Sequence, residues 1–267
     1  MANYVDELIK VALNEVGYLE KSKEAYEKDH AVLNYHTKGH GYDNYTKYGR
    51  DMHNIEPSVM DFPAYWCDAF VDWCFYKAYG KTQAKKLLCG GFNDYTVASA
   101  TLYNNKKRLD RTPKVGAQVF FTKNGKISGC YHTGIVYKVD KNYFYTIEGN
   151  TASKNGVVEN GGAVAKKKYS TSLYKDKALF GHPQYDKVET LKNGLDKTNK
   201  TNKVRYYKKY LGKSPSLVDA MNEMKLVSTF QNRERIAKSN NIEEYKGTAL
   251  QNNKLLRLLK KGKLVKP

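Results

Sequence analysis

Apolar positions along this chain repeat first at helical and then at strand spacing. Val5, Leu8, Ile9, Ala12, Leu13 and Val16 form one stripe, predicting a helix from Tyr4 to about Val16 that Gly17 ends. After a polar, tyrosine-rich stretch from about 21 to 62, read as loops with short helical pieces, helical spacing returns at Phe70, Val71, Cys74, Phe75 and Ala78. Pro63 bars an earlier start and Gly80 supplies a stop, so a half-buried helix is predicted over 67–79, with a shorter one over 95–103. The period then changes to that of strands, at 115–121, 132–139, 143–148, 163–169 and about 179–184. Helices followed by a run of antiparallel strands define an α+β arrangement.

From 186 to 203 large apolar residues become scarce, which marks a linker between a domain over 1–185 and a segment over 204–267. In the last segment Pro215 opens one predicted helix, Ser228 caps a second and Thr248 a third, giving a small three-helix module. Residues 187–267 carry 20 basic against 7 acidic side chains, so this part supplies +13 of a formal net charge of +19. Such a charge calls for a polyanionic partner. The lysines follow no helix-turn-helix, zinc-finger or RNA-binding aromatic pattern, so nucleic acid is not the expected partner.

The candidate chemistry begins at Cys67, placed where the amphipathic helix starts, because unpaired NH groups at a helix N-terminus favour thiolate over thiol. Cys74 lies deeper on the same stripe and reads as core; Cys89 and Cys130 have no assigned role. The runs 132–139 and 143–150 read as an antiparallel hairpin turning near 140–141, which brings His132 opposite Glu148 to Asn150. A histidine with a carboxylate or amide on one ring nitrogen has the other free to take a thiol proton. His30, His36 and His40 match no zinc signature, and His53 and His182 are isolated, so no metal site is expected. Tyr45 and Tyr48 are read either as a substrate rim or as packing over the sheet edge, with packing favoured.

Tyr65-Trp66-Cys67 through Trp73-Cys74, Pro113 to Phe121, His132-Thr133-Gly134-Ile135-Val136 and Ile147-Glu148-Gly149-Asn150 occur in an order that resembles the CHAP domain family, the cysteine, histidine-dependent amidohydrolases/peptidases related to the NlpC/P60 and papain-like folds. With Glu15 to Glu20 and Asn44 to Gly49, the resemblance covers roughly residues 4 to 185. It implies a papain-like fold with helices packed on an antiparallel sheet, Cys67 as nucleophile, His132 as base, Glu148 orienting the imidazole and Asn150 as a fourth polar group. It also implies cleavage of a peptidoglycan amide, either between muramic acid and the first stem residue or within the stem or cross-bridge, with no cofactor. The family's Gly-Asp before its strand stands here as Gly116-Ala117-Gln118, an expected loss of a turn or capping bond away from the chemistry.

The 232–238 and 245–249 segments are similar to wall-binding modules of lysins, so peptidoglycan and anionic wall polymers are the expected partners. Neither an export signal nor a membrane-spanning run is visible, which fits a phage lysin acting from the host cytoplasm on the wall, or a chain trimmed of its signal. A bacterial autolysin, or a basic polymer binder with an inactive thiol site, are the competing readings. The oligomeric state is not legible.

Overall fold

The computed structural model describes residues 4–186, 206–240, 242 and 245–266. The chain divides into two compact units, Met1–Gly194 and Leu195–Pro267. The expected linker lies, from residue 187 onward, outside the described residues.

In the first unit the helices are α1 (Tyr4–Asn14), α2 (Lys23–Lys28), α3 (Lys47–Ile55), α4 (Cys67–Leu87) and α5 (Thr96–Asn105). The strands are β1 (Leu109–Asp110), β2 (Gln118–Thr122), β3 (Cys130–Val139), β4 (Tyr143–Thr151), β5 (Ala163–Ser170) and β6 (Ala178–Gly181). They form one antiparallel sheet in the order β1-β6-β2-β3-β4-β5. The five predicted strands are present, and β1 is an edge pair too short to leave a periodic signal. At Gly80 the backbone leaves helical geometry (φ 74°, ψ 165°), but the chain re-enters a helical run to Leu87, so the predicted stop is a kink. That φ is open to glycine at little cost.

Two apolar layers hold the sheet. On one face α1, α3, α4 and α5 bury Leu8, Phe70, Val71, Cys74 and Phe75 against Ile135 and Ile147. On the other, Val119, Phe121, Val136, Phe144, Tyr169 and Phe180 pack together. Cys74 is fully buried as expected, and burial pushes its thiol up, while Cys130 is pushed up to about 12 for the same reason. Tyr48 is also fully buried, stacked on Trp66 at 5.4 Å and edge-on to Phe70 at 5.1 Å, so it packs and forms no substrate rim. Contacts of this kind add about 0.5–1.5 kcal/mol each beyond area burial, and here they fix the start of α4.

In the second unit α6 (Leu217–Glu223), α7 (Phe230–Ser239) and α8 (Ala249–Lys260) bury Leu217, Met221, Ile236, Leu255, Leu256 and Leu259 together. The three predicted helices are present. The second is capped by Thr229, whose side chain accepts from Asn232 N, because Ser228 spends its hydroxyl on Asn222 Oδ1 at 2.6 Å. Thr248 and Gln251 form a reciprocal capping box at the start of α8.

Candidate active site

Cys67 is the first residue of α4. Trp66, the N-cap, offers no side-chain hydrogen bond, so the first NH groups of the helix have no side-chain partner there. Trp66 is anchored from the other side, its indole Nε1 donating to Glu20 Oε2 at 2.7 Å. Burial raises the Glu20 carboxyl, opposed by that hydrogen bond.

His132 comes from β3 and Glu148 from β4. The pair Ile135–Ile147 sets a register in which His132 stands across from Asn150 with Glu148 two residues along on the same face, as the hairpin reading predicted. A register shift between Val136 and Lys138 separates this end from the turn. Two glycines make the approach possible. A Cβ on Gly134 would lie 2.5 Å from Glu148 Cγ, so its absence lets the carboxylate lean across the strand. A Cβ on Gly149 would lie 2.5 Å from Phe70 Cβ, so the end of β4 reaches the first turn of α4 only because that position is bare.

His132 Nε2 lies 3.0 Å from Glu148 Oε2, both side chains fully buried. Nδ1 has no hydrogen-bond partner of normal geometry, and the imidazole interacts with the Cys67 thiol. With Nε2 taken by Glu148, Nδ1 is the nitrogen left to the sulfur. Burial lowers the histidine, but the hydrogen bonds and negative charges of Cys67 and Glu148 outweigh it and raise His132 to about 10. Cys67 is 6% exposed and His132 is fully buried.

Glu148 is itself held, through Oε2 by the Tyr169 hydroxyl at 3.2 Å and through Oε1 by Thr146. Phe121 stacks on the His132 ring at 5.9 Å. Thr146, Tyr169 and Phe121 went unnoticed in the sequence because each reads as an ordinary strand residue; only the sheet face they share marks them.

Asn150 is buried at φ 54°, a left-handed conformation that asparagine tolerates. Its Oδ1 accepts from Gly162 N at 3.4 Å, and its Nδ2 has no partner. It therefore ties β4 to the loop before β5 and presents an unused donor beside the site.

The reading of Gly116-Ala117-Gln118 needs correction. The turn survives, with Ala117 N bonding Lys114 O at 3.0 Å. Gln118 instead enters a buried network beside Cys67, its Nε2 donating to Asp68 Oδ1 at 2.9 Å and Thr133 Oγ1 at 3.1 Å. Ser99 Oγ donates to Asp68 Oδ2 at 2.7 Å. Burial raises Asp68 to about 7, against the lowering effect of the Ser99 and Gln118 hydrogen bonds.

The remaining histidines stay apart from this constellation. His30 stacks on Tyr26, His40 meets Tyr42 edge-on, and His36 Nε2 lies 3.9 Å from Glu15. His53 Nδ1 bonds Met60 O and His182 Nε2 bonds Asp110. Among the described residues no group of histidine, cysteine and acidic side chains is placed to hold a metal ion.

Residues 59–150 match the family model of the CHAP domain. Over this segment the chain is similar to the CHAP domain. The segment takes in all of Cys67, His132, Glu148 and Asn150. The chain is also similar to the L-alanyl-D-glutamate peptidase of Listeria phage A118, 54% identical over 50 residues, which are 19% of this chain and 18% of that protein. The chain thus matches about a fifth of the length of this curated relative. Two crystal structures of Ly7917, one with the hydrolyzing product of MDP, align at TM-scores of 0.37 and 0.36 and 13% identity, covering 67% of this chain and 62% of theirs. That likeness is too distant to bear on the fold.

Proposed function

We propose that this protein hydrolyses an amide bond of bacterial peptidoglycan with Cys67 as nucleophile. The observation that carries the reading is His132, locked at Nε2 by Glu148 and facing Cys67 with its other nitrogen. The imidazole takes the proton of the thiol, and the sulfur so freed attacks the amide carbonyl. The oxyanion that forms accepts hydrogen bonds from the NH groups at the start of α4. Collapse breaks the C–N bond, with the His132 proton passing to the leaving amine. The neutral imidazole then takes a proton from water, whose hydroxide attacks the thioester, and the carboxylate product leaves as the thiolate is restored.

Several features support this reading over a polymer binder with an idle thiol. A solely structural cysteine has no need of a buried histidine fixed by a carboxylate that is itself fixed by Tyr169 and Thr146. Burying these polar groups costs folding free energy unless every one is satisfied. The peptidase of the Listeria phage makes an amide of the peptide stem the first bond to test. Digestion of purified peptidoglycan followed by mass spectrometry is expected to reveal a new amine and carboxyl terminus per cut, in the stem rather than at the sugar junction. Intact Cys67→Ala protein that still cuts at the wild-type rate would overturn the proposal.

A further inference from the structure

At the turn end of the β3–β4 hairpin, the sheet face that α4 covers further along runs on into solvent. One row there crosses three strands, Lys138 pairing with Tyr145 and Tyr145 with Lys168. The lysines are exposed and the tyrosines half-buried. Lys168 Nζ lies 3.8 Å from the centre of the Tyr143 ring, Lys138 Nζ 4.8 Å from that of Tyr145, and Lys166 Nζ 5.9 Å from that of Tyr137. None of these three lysines forms an ion pair with a described carboxylate.

A shallow pocket lies to either side of the row along the strands. One is floored by Tyr137 and Tyr145 and rimmed by Ser153 and Asn155, the other by Tyr143, Ser170 and Ser172 with Lys141 and Lys175. No acidic side chain lines either pocket. Asp140, the acid at the turn, is engaged by the Tyr145 hydroxyl at 2.8 Å and by the NH groups of Asn142 and Tyr143. The surface therefore combines cations spaced by roughly 7 Å along β5, from Lys166 to Lys168, and by roughly 10 Å across the two strand gaps from Lys138 to Lys168, with hydroxyl and amide groups on both sides.

We infer that this face binds a linear anionic polymer of phosphodiester-linked polyol units, the lysines meeting the phosphates and the serine and asparagine groups the polyol hydroxyls. Identifying that polymer as one of the wall rests on the reading above; the charge complementarity does not. Single-stranded nucleic acid fits less well, since stacking of bases needs open aromatic faces. Here lysine ammonium groups lie over the rings, and the rings are inclined to one another by 63° and 55°. The ammonium groups are thereby pre-positioned by cation–π contact, which lowers the entropy lost when a phosphate docks.

The test uses the full chain and a synthetic poly(glycerol phosphate), which contains no amide to cleave, so its result is independent of whether Cys67 is catalytic. Lys138→Gln, Lys166→Gln and Lys168→Gln are combined in one variant, and Lys10→Gln, Lys28→Gln and Lys106→Gln, exposed and remote in sequence, in a charge-matched control. At about 0.7 of log-log salt slope per phosphate contact on a flexible single chain, the first variant is expected to lose a slope of about 2. Its affinity should fall about tenfold or more at low salt, with the control close to wild type. Tyr145→Leu, which keeps bulk but removes the ring that orients the ammonium groups, should weaken binding several-fold. Equal losses in the two triple variants would overturn the inference, as would a patch-dependent loss larger for an oligo-dT strand than for the polyol phosphate.

Discussion

The two ends of the β3–β4 hairpin are built from similar strands and use their polar residues in opposite ways. At the strand ends near α4, His132, Thr146 and Glu148 are fully buried and bonded to one another or to Tyr169. At the turn end, Lys138 and Lys168 make contacts of similar reach with the half-buried Tyr145 but stay in solvent. In a dry setting a fixed carboxylate holds a histidine protonated far above its ordinary range; in water the same kinds of charge are screened and worth little to stability. Burial at one end sets a histidine of raised pKa beside a thiol, and exposure at the other keeps charge in contact with water.

The largest break in this comparison is chemical. Cys67→Ala is expected to lower kcat/KM on peptidoglycan by at least about 10³-fold while leaving the thermal midpoint nearly unchanged. Glu148→Gln should follow, with kcat reduced by about 10²–10⁴ through loss of the imidazole's orientation and charge. The pH profile gives the second readout. With His132 raised to about 10, activity needing a protonated imidazole persists to that region in the wild type and should fail at lower pH in Glu148→Gln.

The same shift has a stability sign. Because the folded value lies above the unfolded one of about 6.5, the stabilisation is fully present below that value. It is lost as pH rises through about 10, so a thermal midpoint that held constant from pH 7 to 10 in wild type would contradict the assignment.

Gly134→Ala sharpens the comparison without removing a polar group. Its Cβ would meet Glu148 Cγ at 2.5 Å, so the carboxylate must move. The expected cost is about 1–3 kcal/mol in stability from overpacking and about 10²-fold in kcat from misplacement. A crystal structure with the His132–Glu148 distance unchanged would count against it.

Asp68→Asn is expected to act mainly on the pH dependence of folding. Asp68, raised to about 7, binds its proton more tightly in the folded than in the unfolded chain, so it withdraws stability as pH rises from about 4 to 7. The variant's thermal midpoint should gain on wild type across that window and run parallel above it. Lys168→Gln, at the wet end, should shift stability by less than about 0.5 kcal/mol, measurable by urea unfolding.

Much of this was legible in the residue pattern. Apolar period and turn residues located the helix that Cys67 opens, the hairpin and the three C-terminal helices, because those elements each satisfy their own backbone and show one apolar face. The approach of His132 to the end of β4 was legible too, but not the register shift between Val136 and Lys138, so turn position alone does not set the pairing at the site. What escaped was set by contact between distant segments. Gln118 reads as a surface-type residue in a strand, and only its approach to Asp68, fifty positions earlier, makes it part of a buried network. Tyr169 and Thr146 likewise gain meaning only from the Glu148 carboxylate. Gly80 shows the limit of local signals, since a residue that ends helical geometry does not determine whether the chain resumes it.

The sequence by itself determined which side chains could do the chemistry and which strands would carry them, because helix start, strand period and turn are local properties. Tertiary structure decided that Glu148 leans past Gly134 to the imidazole, that Gly149 admits Phe70 against β4, and that Cys67 and Glu148 together raise His132 above its ordinary range. Those outcomes depend on ångström-scale approach and exclusion of water, and both exist only once the helices close over the sheet.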